Sequence, residues 1–420
     1  MRWLAVALAL IPLPAWSEFF TLKGHGGPIM GIATAPDGRI ATASFDNSVG
    51  LWSDQMPEWL EGHEAAVNSV VFNGTAIYSA GDDFTLRRWP GGEVVGQHKG
   101  KIVGLAASKT HVATASWDGT IGLWPLDGSA PQMLGPTGGG VNAVVFSQDG
   151  TRLFSAGVDG SLREWDVASG QETRRVVEHG FGINELALNE QDGWIAYGAV
   201  DGGTRIRDLS TDEERDFTLD RRPILALALS PDRSLLAVGD GEGYIMVIDT
   251  VDWRIAQDFR ATLRGPVWAL AFSADGQNIH AGGIDEAMYS WPVSALRDQE
   301  QMAASEPSFL KDPDQMSNGE RQFARKCSIC HSLTPDGQRR AGPTLYEVFG
   351  RQAGTLPGYF YSETLQDSDI IWNDETINAL FDEGPDHYIP GSKMPMQRIT
   401  QEQDRDDLIT FLRRATIDPN

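Results

Sequence analysis

ASWDGTIGLW (115–124) decides the fold of the longer part of the chain, because it is one copy of a recurring pattern. ASFDNSVGLW (43–52), AGDDFTLRRW (80–89), AGVDGSLREW (156–165) and GGIDEAMYSW (282–291) share its frame. In each, an aspartate stands six residues before a tryptophan: Asp46 and Trp52, Asp83 and Trp89, Asp118 and Trp124, Asp159 and Trp165, Asp285 and Trp291. Two further units keep the frame with altered residues. AVDGGTRIRDL (199–209) carries Asp201 and Arg207, and VGDGEGYIMVID (238–249) carries Glu242 and Ile248. The steps between equivalent ends are 37, 35, 41, 42, 41 and 43 residues.

That period is the one expected of four-stranded propeller blades. AVNSVVF (66–72), VNAVVF (141–146) and ILALALS (224–230) read as buried strands. Asp-Gly, Asp-Asn and Asp-Asp pairs supply the tight turns between strands. The units resemble WD-repeats, with Gly24-His25 and Gly62-His63 as the family's Gly-His element and Gln97-His98 as a weakened copy. The resemblance implies a hydrogen-bonded set of histidine, Ser/Thr, aspartate and tryptophan, including His25, Asp46 and Trp52, then His63, Asp83 and Trp89. Units four to seven lack Gly-His, so the set is expected to be absent there. Seven units predict a seven-bladed propeller over 18–293, closed by Phe19-Phe20-Thr21-Leu22 pairing into the last blade, which removes open sheet edges. Regular recurrence at turn positions gives these aspartates and histidines structural rather than catalytic roles.

A second stretch carries chemistry. Cys327-Ser328-Ile329-Cys330-His331 holds the only two cysteines of the 420 residues. Its spacing is that of covalent haem attachment, each thiol forming a thioether and the histidine reaching the iron. A dithiol redox pair, half of a zinc site and a plain disulfide are the competing readings. Zinc needs two more soft or imidazole ligands, and His387 is the only other histidine in this region. A dithiol motif expects a strand-helix-strand setting, which the flanking sequence does not offer.

The surrounding 310–420 segment resembles class I, mitochondrial-type cytochromes c. Ser317 with Glu320 predicts a capped helix start ahead of the cysteines. DRDDLITFLRRA (404–415) places Leu408, Phe411 and Leu412 on one helical face. The resemblance implies that these first and last helices cross, Gly319 and Phe323 meeting Leu408 and Phe411. AGPTLYEVFGRQAG (341–354), PGYFYSETL (357–365), IIW (370–372) and HYIPGSKMPM (387–396) follow in the family's order. It further implies one covalently attached haem c, with iron between His331 and Met394. Met396 and His387 are the rival ligands. Pro343 is expected to offer its carbonyl to His331 Nδ1, Tyr361 and Trp372 to hold a propionate, and Arg351 to sit nearby. Two departures stand out: Phe381 where the family often has a tyrosine near the methionine sulfur, and Leu365 where it often has a polar residue holding a water. Both dry the pocket, which disfavours ferric haem and raises the potential.

The expected architecture therefore has two domains, an all-β seven-bladed propeller followed by an all-α cytochrome c domain. Residues 294–309, polar and carrying Pro307, read as the linker. Residues 1–17 resemble a secretory signal peptide: Arg2, an apolar run from Trp3 to Trp16, then small residues at Ala15 and Ser17. An uncleaved anchor is the alternative, although the run is short for a bilayer. Export and haem attachment together point to the periplasm.

The net charge of −24 argues against nucleic-acid binding, since a phosphate backbone needs a basic face. Residues 1–309 hold 22 Lys/Arg against 40 Asp/Glu, a net of −18, and residues 310–420 hold 12 against 18, a net of −6. An electrostatically steered partner is expected to present a basic patch. The expected work is single-electron transfer, with the propeller as docking platform for a redox partner protein. Two rivals are an oxidoreductase whose propeller binds a substrate or second cofactor, and an assembly or regulatory protein that responds to haem redox state.

Overall fold

The structure is a computed structural model that describes residues 18–295 and 316–416, apart from 54, 220, 222, 336–339, 360, 393, 395 and 396. The predicted signal peptide, most of the linker and Met396 lie outside the described residues.

Residues 20–292 form seven four-stranded antiparallel sheets arranged as the blades of a propeller. The stretches singled out as buried strands are inner strands: Val67–Asn73, Val141–Phe146 and Ile224–Leu229. Each begins with a residue that fits between sheets, Val67, Val141 and Ile224 all being buried. Asparagine amides stitch neighbouring blades. Asn68 donates to the Ile102 carbonyl at 3.0 Å, Asn142 to Ile183 at 2.9 Å and Asn184 to Ile224 at 2.8 Å. The ring closes as expected. Strand Phe20–Lys23 pairs antiparallel with Ala287–Pro292, Phe20 opposite Ser290 and Lys23 opposite Ala287. The outer strand of blade seven thus comes from the other end of the propeller sequence.

The WD-type set is complete in three blades. In blade one, Trp52 Nε1 donates to Thr42 Oγ1 at 2.8 Å. The Thr42 hydroxyl lies 2.7 Å from His25 Nε2, and His25 Nδ1 lies 3.0 Å from Asp46. Blade two repeats this with Trp89, Ser79, His63 and Asp83, and blade three with Trp124, Thr114, His98 and Asp118. The weakened Gln97-His98 copy is therefore complete. Each relay satisfies polar groups that burial would otherwise leave costly.

Among the described residues the complete set is absent from blades four to seven, as the missing Gly-His pairs led one to expect, but parts of it persist. Trp165 still donates to Ser155 at 2.8 Å in blade four, and His179 meets Asp201 at 3.1 Å in blade five, there through Nε2. The aspartates keep partners throughout, because a half-buried carboxylate at a turn needs a donor. Arg163 pairs with Asp159 at 2.5 Å, Arg221 with Asp240 at 2.5 Å and Arg264 with Asp285 at 3.1 Å. In blade six the carboxylate has moved. Asp240, two positions before Glu242, accepts the N–H groups of Glu242 and Tyr244 at 2.9 and 3.0 Å.

The second part is helical: α1 (Asn318–Lys326), α2 (Glu363–Gln366), α3 (Asp374–Glu383), α4 (Pro385–Tyr388) and α5 (Glu402–Ala415). The Ser317 side chain accepts the Glu320 N–H at 3.3 Å and caps α1. Helices α1 and α5 cross. A β-carbon on Gly319 would sit 2.0 Å from the Asp407 carbonyl oxygen, so only glycine allows this approach. Phe323 and Phe411 meet with ring centroids 5.6 Å apart. Leu408 and Leu412 are buried behind them with Ile377, Leu380 and Phe381 of α3. Among the described residues no helix is long and apolar enough to cross a membrane.

Candidate haem site

The CSICH stretch is the end of α1 and the turn beyond it. Cys327 N–H donates to the Phe323 carbonyl at 2.8 Å, and the Cys327 carbonyl accepts Cys330 N–H at 3.0 Å and His331 N–H at 2.9 Å. This turn sets both thiols and the imidazole around one hollow. Cys327 is buried and Cys330 partly so. Burial pushes the Cys327 thiol up to about 12 and Cys330 up to about 11. A dithiol redox centre works through a lowered thiol pKa, so this environment is wrong for one. Among the described residues no group of three or more His, Cys, Asp or Glu is assembled, which leaves the zinc reading without its ligands.

The hollow is a cavity of about 510 Å³. Cys327, Cys330, His331, Pro343, Arg351, Tyr361, Trp372 and Met394, scattered over 68 positions of sequence, all line it. His331 Nδ1 lies 2.7 Å from the Pro343 carbonyl oxygen. With the N–H directed there, Nε2 is left as the ring's free donor atom. Burial holds the His331 imidazole below its usual value, Pro343 pulling it back and Arg351 adding to the depression. His387 is exposed and is not among the lining residues.

Arg351 donates to the carbonyls of Thr344 at 2.7 Å and Tyr346 at 3.1 Å. Burial pushes its guanidinium below its ordinary value, although Tyr361 and Glu347 oppose this. A desolvated cation at a cavity wall suits an anionic group on the occupant. Leu365 and Phe381 are part of the apolar wall with Leu380, Ile389 and Leu412. The hydroxyls of Ser362 and Ser392 also line the cavity, buried and without a hydrogen-bond partner among the described residues. A thioether, an imidazole, two thiols, an apolar wall and buried polar atoms at its margin fit a haem and its propionates.

Two contributors escaped the sequence reading. Tyr359 lines the cavity, donates its hydroxyl to the Ala341 carbonyl at 2.5 Å and stands edge-on to Tyr361 with centroids 4.8 Å apart. The alternate spacing of Tyr359 and Tyr361 was the available signal. Gly342 passes directly behind His331, and a β-carbon there would lie 2.4 Å from His331 Cε1. Nothing local to the sequence marks that approach.

Comparison with known proteins agrees with this geometry. Residues 316–416 match the family model "Cytochrome c", and 16–53, 57–90, 93–125 and 130–166 match "WD domain, G-beta repeat". Cytochrome c of Sesamum indicum is 40% identical over 106 residues, 25% of this chain and 93% of that protein. Cytochrome c of Theileria parva is 36% identical over 115 residues, 27% of this chain and 98% of its own length. A cytochrome c homolog of Rickettsia felis is 35% identical over 130 residues, 30% of this chain and 73% of that protein. The cytochrome c domain carries covalently attached haem c and marks the chain for electron transfer, and the WD-repeat ring marks it for docking. The chain belongs to the cytochrome c family, its haem domain set behind a seven-bladed WD-repeat propeller.

Proposed function

We propose that this is a periplasmic monohaem cytochrome that passes single electrons, with His331 and Met394 as the residues that would ligate the iron and the propeller as docking platform for a redox partner. The observation that carries this reading is the convergence of Cys327, Cys330, His331 and Met394 on one apolar cavity. Bound haem supplies a one-electron couple there. The chain holds and tunes it. Cys327 and Cys330 would tether it, the Pro343 carbonyl orients the His331 ring and raises its basicity, and Arg351, Tyr361 and Trp372 would hold a propionate. Leu365 and Phe381 exclude water, which disfavours the extra positive charge of the oxidised state.

Docking is supported by the propeller surface. Trp117, Val158, Phe181 and Val200 are 55%, 53%, 57% and 47% exposed. All four stand at the blade end where the inner strands begin. Trp117 lies beside Gly140, Val158 beside Gly139 and Gly182, and Val200 beside Gly182, so they make one apolar crescent. Exposed apolar surface of this kind marks an interaction site. Lys101, a cavity-lining residue, stands 5.9 Å over the Trp117 ring, so the crescent starts at the haem cavity. The net charge of −24 favours a partner with a basic rim around an apolar centre.

The test is purification of the exported holoprotein, with haem and iron counted per chain and the N-terminus sequenced. One covalent haem and a chain beginning after residue 17 support the reading. Two haems, or a cytoplasmic chain with an intact N-terminus, overturn it.

A further inference from the structure

The haem cavity is not bounded by the cytochrome domain alone. Phe45 and Asn47 of the blade-one turn, Ala66 and Asp82 of blade two, and Lys101 of blade three line it as well. On blade seven, the ring neighbour of blade one, Arg340 forms an ion pair with Glu286, which stands in the turn before the strand Ala287–Pro292. Arg340 stands two residues before Gly342, which packs against the His331 ring at the cavity wall.

The charge balance makes this contact informative. Residues 1–309 carry a net of −18 and residues 310–420 a net of −6, so the two parts repel at long range. A seat between them needs a local cation, and Arg340 provides it from the haem side. Covalent connection makes the association intramolecular, so a small contact shifts the balance without a large interface.

We infer that the propeller's first occupant is the chain's own haem domain. Blades one, two, three and seven form the seat, and the Arg340–Glu286 pair is a clasp that covers one side of the haem cavity. The apolar crescent on blades three to five stays open beside the seat, so an external partner docks next to a haem whose exposure the clasp controls. Salt weakens the clasp by screening, and so does a docking partner whose basic rim competes for Glu286. This inference rests on the haem assignment above and names an occupant for the platform.

The experiment uses the full-length holoprotein in four forms: unaltered, Glu286→Arg, Arg340→Glu and the double swap. Small-angle X-ray scattering gives the radius of gyration, and stopped-flow reduction by a neutral hydroquinone gives haem access without a charge effect on the reagent. Each single reversal puts like charges at the contact, so the radius rises and reduction speeds several-fold. The double swap restores both. Unchanged radii in the single variants, or a double variant that stays extended, overturn the clasp. Haem content separates the two levels of the argument: a chain without covalent haem sinks the haem assignment, whereas a compact, haem-bearing single variant sinks only the clasp.

Discussion

Gly342 and His331 are in such close contact that a β-carbon on the glycine would lie 2.4, 2.7 and 2.8 Å from three atoms of the imidazole ring. The ring is trapped between that backbone and the Pro343 carbonyl oxygen, 2.7 Å from Nδ1. Gly342→Ala forces the ring to turn and strains the Pro343 bond. The expected outcome is a shifted ferric spectrum with high-spin character, while covalent haem is retained through Cys327 and Cys330. An unaltered spectrum would show that the ring has room that the structure denies it.

The relay in blade three joins four side chains, that in blade four only two. Thr114 accepts the Trp124 N–H at 2.9 Å and sits 2.7 Å from His98 Nε2, whereas Ser155 accepts only the Trp165 N–H at 2.8 Å. Thr114→Val strands two polar groups and should destabilise the propeller by about 1–3 kcal/mol. Ser155→Ala strands one and should cost less. Urea unfolding of the propeller transition measures both, and equal losses would remove the relay as the cause.

His280 gives the propeller an acid sensitivity. It is 2% exposed, 3.0 Å from Ser290 Oγ, and burial pushes its imidazole from 6.5 down to about 4 against the pull of Asp275. An unfolded histidine takes up its proton first as pH falls. Between these two values the unfolded state therefore binds more protons, and stability declines with falling pH by up to roughly 3 kcal/mol. His280→Gln should flatten that decline in urea melts at pH 7 and pH 5. An identical slope in the variant would assign the effect elsewhere. Asp118 acts lower down. Burial raises its carboxyl, but bonds from Thr120, the Lys99 N–H and His98 outweigh this and hold it at about 2, so its contribution disappears only as pH falls from 3.8 toward that value.

Leu365 makes the haem cavity drier than an amide at that position would. Leu365→Asn admits a polar group and favours the oxidised state. The midpoint should fall by tens of millivolts, on the scale of about 59 mV for 1.4 kcal/mol in a one-electron couple. Spectroelectrochemical titration reads this directly, and a rise in potential contradicts it.

The propeller was legible because blade closure is a periodic constraint, and the aspartates from Asp46 to Asp285 print it into the chain at six of the seven turns. The shared cavity was legible for a different reason. CSICH is local chemistry, and the frame behind it carried Pro343, Arg351, Tyr361, Trp372 and Met394 to the same cavity. What escaped was set by contacts across sequence. Asp240 took over a turn from the position two before Glu242, because Arg221, nineteen residues earlier, reaches it at 2.5 Å. His179 supplied a partner to Asp201 without any Gly-His signature. Gly342 and Tyr359 matter through the neighbours they touch, which periodicity does not encode. The Arg340–Glu286 contact joins the two domains, and neither domain's pattern predicts it.

The central claim is that one haem lies between His331 and Met394 in the cavity built by residues 327–412. The most direct measurement is the sulfur-to-iron charge-transfer band at the red end of the ferric spectrum, compared between the unaltered holoprotein, Met394→Ala and Met396→Ala. The account predicts that the band is present in the first, lost in the second and kept in the third. A band that survives in Met394→Ala and disappears in Met396→Ala contradicts it.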